Sequence, residues 1–385
     1  MNRSALLLTT LAAACAGAPA LPVPEATTPT SPVVAADAGA LEALAVATAA
    51  RGEAVAAVQL LVDAVAAAPD DVPRLDALVR IAAAEQLLPL ALQTLRERQD
   101  GLGRWFAGRV RYLLASGQPF ERALTTLDAA CRDFVAAAQG EPSFRDSSEQ
   151  WAAMCIGAKG NVAFRQGDLA SAQQWLLEAL QRRPDLLTTE LGGGDSIKLG
   201  LLRLGERVMR DTVRTERLFR AAVTFAGDDL DLLNNAAVYA LDRGVQLERG
   251  GDAAAAQELF ERSYTHYRRA VALAPDDVRL RNDCALVAIH HLHRDREAAM
   301  ALLQAAIADG ERTLRDDPPP TARARRTLDE AIGDCYENLA LGWLDAGDAT
   351  AARAAALASL QHHPGEQRPG ARQHLRAAEA KLSGG

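Results

Sequence analysis

The chain has 385 residues, and its 42 Lys plus Arg against 50 Asp plus Glu give a formal net charge of −8. Hydrophobic residues make up 49% of it, which excludes a globally disordered chain; alanine is abundant and aromatics are only 4%, which favours helices because alanine loses almost no side-chain entropy there. The mild acidity excludes a dedicated nucleic-acid binder, which concentrates Lys and Arg, so no nucleic-acid partner is expected.

The chain opens MNRSALLLTTLAAAC, with Arg3, an apolar or small run over 5–14, and then Cys15. The run is too short to span a bilayer, which takes ~20 apolar residues, and suits a secretory signal. It resembles a bacterial lipoprotein signal. That resemblance implies that Cys15 is the lipidated first residue of the mature chain, with a membrane contact through the lipid; Ala12 stands where the family prefers leucine. Cleavage after Ala20, at the small-x-small pattern Ala18-Pro19-Ala20, is the alternative. Residues 16–36 are rich in Pro, Thr and Ala and almost uncharged, which predicts an extended tether. The expected address is the cell envelope with a lipid anchor; the alternative is a soluble periplasmic or secreted chain.

Beyond the tether an internal period appears. From Gly52, the residues Ala57, Leu61, Ala64 and Pro69 follow at offsets of 5, 9, 12 and 17, and from Gly167 the residues Ala172, Leu176, Ala179 and Pro184 fall at the same offsets. Gly347 gives Ala352, Ala356, Ser359 and Pro364 in phase. Upstream of the glycines, Leu41, Leu44 and Ala45 match Tyr336, Leu339 and Ala340, with Trp343 a turn further; in the unit of Gly167, Ile156 and Gly160 fit but Lys159 stands where an apolar residue is expected. Apolar residues three and four apart make one face of a helix, the glycine ends the first helix in a left-handed conformation, and the proline ends the second. These residues resemble the tetratricopeptide repeat (TPR), a 34-residue helix-turn-helix.

Weaker units fill the intervals. Residues 72–102 hold Leu75, Leu78 and Ala82, then a pattern around Ala91 and Leu95; 104–139 read as a pair turning at Gly117; 197–225 place Leu201, Leu204, Gly205 and Val208 at first-helix offsets. In 230–276 the intervals from Leu233 and Ala236 to Gly251, and from Gly251 to Pro275, each exceed the standard by seven residues. Seven residues are about two helical turns, so both helices lengthen together without rotating their apolar faces. Pairs at 278–314 and 333–364 follow, and 367–382 predict a polar capping helix with Arg372, Arg376 and Lys381. The expected fold is all-α: one right-handed α-solenoid over 38–382 of about eight TPR-like hairpins with a C-terminal capping helix, and a bend expected near 188–195, where three glycines stand together.

The common hydrolase and nucleotide signatures are absent, and no enzyme activity, cofactor or metal is expected. His290, His291 and His293 beside Cys284 fall on different faces of a helix, which prevents a tetrahedral site, and a polar helix end facing solvent is the reading. Carboxylate pairs Asp228-Asp229 and Asp276-Asp277 are expected to cap helices. His362-His363 are expected at a helix C-terminus. No C-x-x-C spacing exists. Cys131 and Cys155 fall at similar heights on consecutive helices, as a disulfide or as separate buried thiols.

Function is therefore expected on a surface. The resemblance implies that first helices line a concave groove for extended segments of partner proteins, with the residue before the second packing apolar facing it: Arg203, Asn235, Asp283 and Asn338. Asparagine donates and accepts at once, which suits an extended backbone, and Arg203 with Arg210 suits a carboxylate. The chaperone-tail clamp of the family, a Lys/Asn/Lys/Arg set across three repeats, is not found. The reading is a non-catalytic scaffold or adaptor binding partner proteins. The alternative is an accessory subunit binding an anionic glycan or lipid through the basic segment 203–217, whose arginines 203, 207, 210, 214 and 217 are spaced 4, 3, 4, 3.

Overall fold

A computed structural model describes residues 37–67, 72–95, 100–192, 195–362 and 368–383. Cys15, the run before it and the 16–36 segment lie outside the described residues, as do Pro69, Gly193, Gly194, His363 and Pro364. Among the described residues there are seventeen α-helices and one isolated antiparallel bridge, between Glu190 and Ser196.

The chain divides into two compact units between Leu204 and Gly205. The first holds the hairpins α1 (Ala38–Ala50) with α2 (Ala54–Ala67), α3 (Val72–Ala84) with α4 (Leu88–Leu95), α5 (Gly101–Ala115) with α6 (Phe120–Gly140), and α7 (Arg145–Gln166) with α8 (Leu169–Arg182). The division falls inside α9 (Ile197–Val208), which the turn 209–211 joins to α10 (Thr212–Ala226). The second unit continues with α11 (Leu230–Arg249) and α12 (Ala253–Leu273), α13 (Val278–Leu286) and α14 (Arg296–Asp316), α15 (Ala322–Ala346) and α16 (Ala349–Gln361), and a last helix, α17 (Pro369–Ser383). A π-helical turn, Val287–Leu292, extends α13. Within each unit first helices pack on the next first helices, α3 on α5, α5 on α7, α13 on α15 and α15 on α17, as in an α-solenoid. Eight hairpins and a closing helix are what the repeat predicted.

Local chemistry sets each hairpin. Gly52, Gly167, Gly251 and Gly347 all turn with φ between +80° and +86°, where L side chains are strained and glycine is not. Gly117 also lies in a turn, but its φ is not positive. Aspartate starts the helices: Asp37, Asp100, Asp168, Asp211, Asp229, Asp252, Asp277 and Asp348 each accept a backbone N–H of the first turn. Of the two expected carboxylate pairs, Asp229 and Asp277 are caps, whereas Asp228 takes the Arg269 guanidinium.

Packing follows the period. Ala45, Ala57, Leu61, Ala64, Ala172, Leu176, Ala179, Ala352, Ala356 and Ser359 are all buried, while Leu44 is 48% exposed. Each buried leucine contributes about 2 kcal/mol of transfer free energy. Three hairpins seat a phenylalanine of the second helix on a glycine of the first: Phe134 on Gly108, Phe219 on Gly205, Phe260 on Gly244. Lys159, out of pattern in its repeat, reaches Asp128 at 2.6 Å and lies 4.4 Å from the Trp175 ring centroid, so its stem packs and its charge is paired. The matched extension is present: α11 has 20 residues and α12 has 21, against 12 and 15 in α9 and α10.

The described part of the segment expected to bend is tied down. Gly192 N–H donates to the Tyr112 hydroxyl at 2.7 Å, Leu191 is buried, and Asn161 Nδ2 donates to the Asp195 carbonyl at 3.1 Å. Cys131, Cys155, Cys284 and Cys335 are free thiols; burial raises the pKa of each, and Cys335 is pushed up to about 12.

Candidate functional site

The groove candidates of the second unit stand on successive first helices, Asn235 on α11, Asp283 on α13 and Asn338 on α15. Asn235 is half-buried, and its Nδ2 donates back to the Asp231 carbonyl at 2.8 Å. Asn338, expected to face a ligand, is buried: its Nδ2 donates to Asn282 Oδ1 at 2.9 Å, and its Oδ1 lies 3.0 Å from His290 Nε2. With the amide nitrogen donating, that imidazole carries its proton on Nε2. Asn282 in turn donates to Asp283 Oδ1 at 3.2 Å. An amide–imidazole chain thus links α13, its π turn and α15, and ends on a carboxylate.

Neither Asn282 nor Glu337 was among the sequence candidates. The repeat phase selects Asp283 and passes over its neighbour; the bonding to Asn338 depends on the π turn, which spacing rules based on 3.6 residues per turn do not show. The same turn corrects the reading of the histidines as a solvent-facing helix end. His290 is held by Asn338, and His291 stacks on Phe260 with ring centroids 4.3 Å apart; burial lowers the proton affinity of both. His293 alone is exposed, taking φ +50° where other turns use glycine.

The electrostatics beside this chain are acidic, and burial outweighs the partners that favour charge. Burial raises the pKa of Asp283 despite its hydrogen bond from Asn282. Glu337 is raised too, by burial and by Asp334, although Arg368 and the Ala371 backbone amide at the start of α17 favour its charge. Arg368 is buried beside Gly333, where its guanidinium donates to Asp334 at 2.6 Å and to the Glu330 carbonyl at 3.0 Å. Burial favours the neutral form of both carboxyls, and a cation placed against either would shift it back toward the charged form.

The arginine candidates behave differently. Arg203 is already paired, donating to Asp195 Oδ1 at 2.7 Å. Arg210 is exposed in the turn 209–211. Arg214 and Arg217 follow on α10, so the basic stripe is interrupted where Asp211 caps that helix. His362 ends α16 as expected, and its Nδ1 lies 2.9 Å from Asp329 Oδ1. Among the described residues no group of three or more His, Cys, Asp or Glu side chains is placed to hold a metal, and no helix is long and apolar enough to cross a membrane.

Turn glycines, small-residue contacts and paired helices define an all-α helical-repeat fold, similar to that of TPR proteins. No family model and no curated protein matches the chain. Solved structures similar to it include the C-terminal part of a TPR repeat-containing protein from Cytophaga hutchinsonii, at 11% identity and TM-score 0.37, covering 79% of this chain and 98% of that one. A tetratricopeptide repeat protein from Parabacteroides merdae is similar at 12% identity and TM-score 0.28, over 89% of this chain and 98% of that one. At such values no partner or shape is carried across.

Proposed function

We propose that the chain is a non-catalytic scaffold that binds an extended segment of a partner protein along the first helices of the unit 205–383, with a basic side chain of that segment placed against Asp283 or Glu337. The observation that carries this reading is the fixed chain of Asn282, Asn338 and His290 across two successive first helices, leaving half-buried carboxyls beside it. A pre-set polar frame lowers the ordering cost of binding an extended ligand. We infer also that the N-terminal segment exports the protein and holds it at the cell envelope through Cys15; Arg3, the apolar run and the uncharged 16–36 segment support this.

A library of extended peptides selected against the mature chain tests the first part. Selected peptides are expected to carry Lys or Arg and to bind the Asp283→Asn, Glu337→Gln variant at least about tenfold more weakly, since a charge-assisted contact is worth about 1.5–3 kcal/mol. Affinity is expected to fall with pH, because protonating either carboxyl removes the charge that holds the cation. Peptides that bind wild type and variant alike would refute the assignment. Intact mass of the processed protein tests the second part: a lipidated chain beginning at Cys15 is expected, and an unmodified chain beginning at Leu21 would overturn it.

A further inference from the structure

The arginines that come together in the second unit are not the linear stripe. Arg217 and Arg220 on α10, Arg243 on α11 and Arg262 on α12 line a cavity of about 270 Å3, with Glu216 and Glu258 as its two carboxylates. Thr212, the first residue of α10, donates to Gln246 near the C-terminal end of α11 at 2.7 Å, so the start of α10 sits beside the turn that joins α11 to α12. A crevice remains where the start of α10 meets the longer pair.

Its charge is arranged, not merely accumulated. Glu216 is buried and accepts from Arg262 Nη1 at 2.7 Å, with Arg220 Nη1 3.6 Å away, so a single carboxylate holds two guanidiniums from different helices. Arg217 is exposed and Arg243 half-buried, and Leu247 and Leu259 supply an apolar wall. Four arginines against two glutamates leave a local charge of about +2 in a chain whose net charge is −8. Guanidinium forks match the oxygens of a phosphoryl group bidentately and are weakly hydrated, so they exchange water for such a ligand at low cost. A local excess of two positive charges balances a dianion better than a single carboxylate.

We propose that this cavity binds a phosphoryl group, carried by a soluble phosphate ester or by a phospholipid headgroup. The site lies apart from Asp283 and Glu337 and does not depend on the peptide-binding reading. Two probes separate the sources: glycerol 3-phosphate in isothermal titration, and vesicles of phosphatidylcholine with and without phosphatidate in co-sedimentation. Saturable binding of the ester assigns the soluble source; binding of phosphatidate vesicles without the ester assigns the headgroup. In either case Arg217→Gln with Arg243→Gln is expected to weaken binding about tenfold or more. Glu258→Gln, which removes a repelling charge from the exposed rim, is expected to strengthen it, and Arg326→Gln, at an exposed position on α15, to leave it unchanged. Circular dichroism of the variants reports whether each remains folded. Absence of binding to both probes, or binding that the arginine pair and Glu258→Gln leave unchanged, would overturn the proposal.

Discussion

Gly244 stands where helix propensity and packing oppose each other. Alanine there would favour α11 by about 1 kcal/mol, but its Cβ would come within 2.5 Å of the Phe260 ring. Moving a ring in a filled interior costs about 1–3 kcal/mol, so Gly244→Ala is expected to lower the urea midpoint with an unchanged slope. Gly347→Ala separates the two causes, because that position has open space around it and φ +86°; its cost of about 1–2 kcal/mol is purely backbone. His266 gives a pH signature. It is buried on α12, and burial together with Arg269 and Arg262 lowers its pKa to about 4 from an ordinary 6.5. The unfolded chain takes up that proton first, so stability present above pH 6.5 is lost as pH falls toward 4, by about 3 kcal/mol in full. The difference between wild type and His266→Leu in chemical denaturation across that range isolates the effect from Asp283 and Glu337, whose raised values act in the opposite sense. A difference that stays constant with pH would refute the assignment.

Matched extension is the property of α11 and α12 that most constrains how they pack. Their faces stay in register because both gained about two turns, and Ser263 on the second helix still donates to the Ala237 carbonyl of the first at 2.9 Å. Deleting seven residues from each near the turn is therefore expected to preserve helicity and a cooperative melt, whereas deleting seven from α11 alone should abolish cooperativity, both read by circular dichroism. Equal tolerance of the two deletions would show that the apolar faces are not in register. This element was legible in the sequence, because turn glycine, alanine contacts and terminating proline recur at fixed offsets that a whole number of turns does not disturb. The π turn at 287–292 was not legible: one extra residue in a turn leaves no compositional mark, yet it decides that His290 meets Asn338 and His291 meets Phe260. Asn338 was singled out for its place in the repeat. Its burial was hidden because the partner that covers it, Asn282, lies 56 residues earlier and one position out of the expected phase. The arginine cavity was invisible for a related reason: three of its four arginines lie outside the 203–217 segment and converge only through the hairpins.

At the scale of the whole chain, eight hairpins spread their polar side chains over many helices, and the described residues hold acidic and basic features in separate places on one unit. Recognition by such a surface draws on several weak contacts held in a fixed frame, instead of a single reactive group. On the function proposed above, side chains of the first helices are the contact points, and those on the outer faces of second helices are not. The most direct measurement places a photo-reactive residue at Asn235, at Asp283, and at the exposed second-helix positions Val135 and Leu357, each in the full chain expressed in its native cells, and identifies the cross-linked products by mass spectrometry. Cross-links from Asn235 and Asp283 to one contiguous segment of the same partner, with none from Val135 or Leu357, are the expected result. Capture of that partner from the second-helix positions, with no product from Asn235 or Asp283, would contradict it.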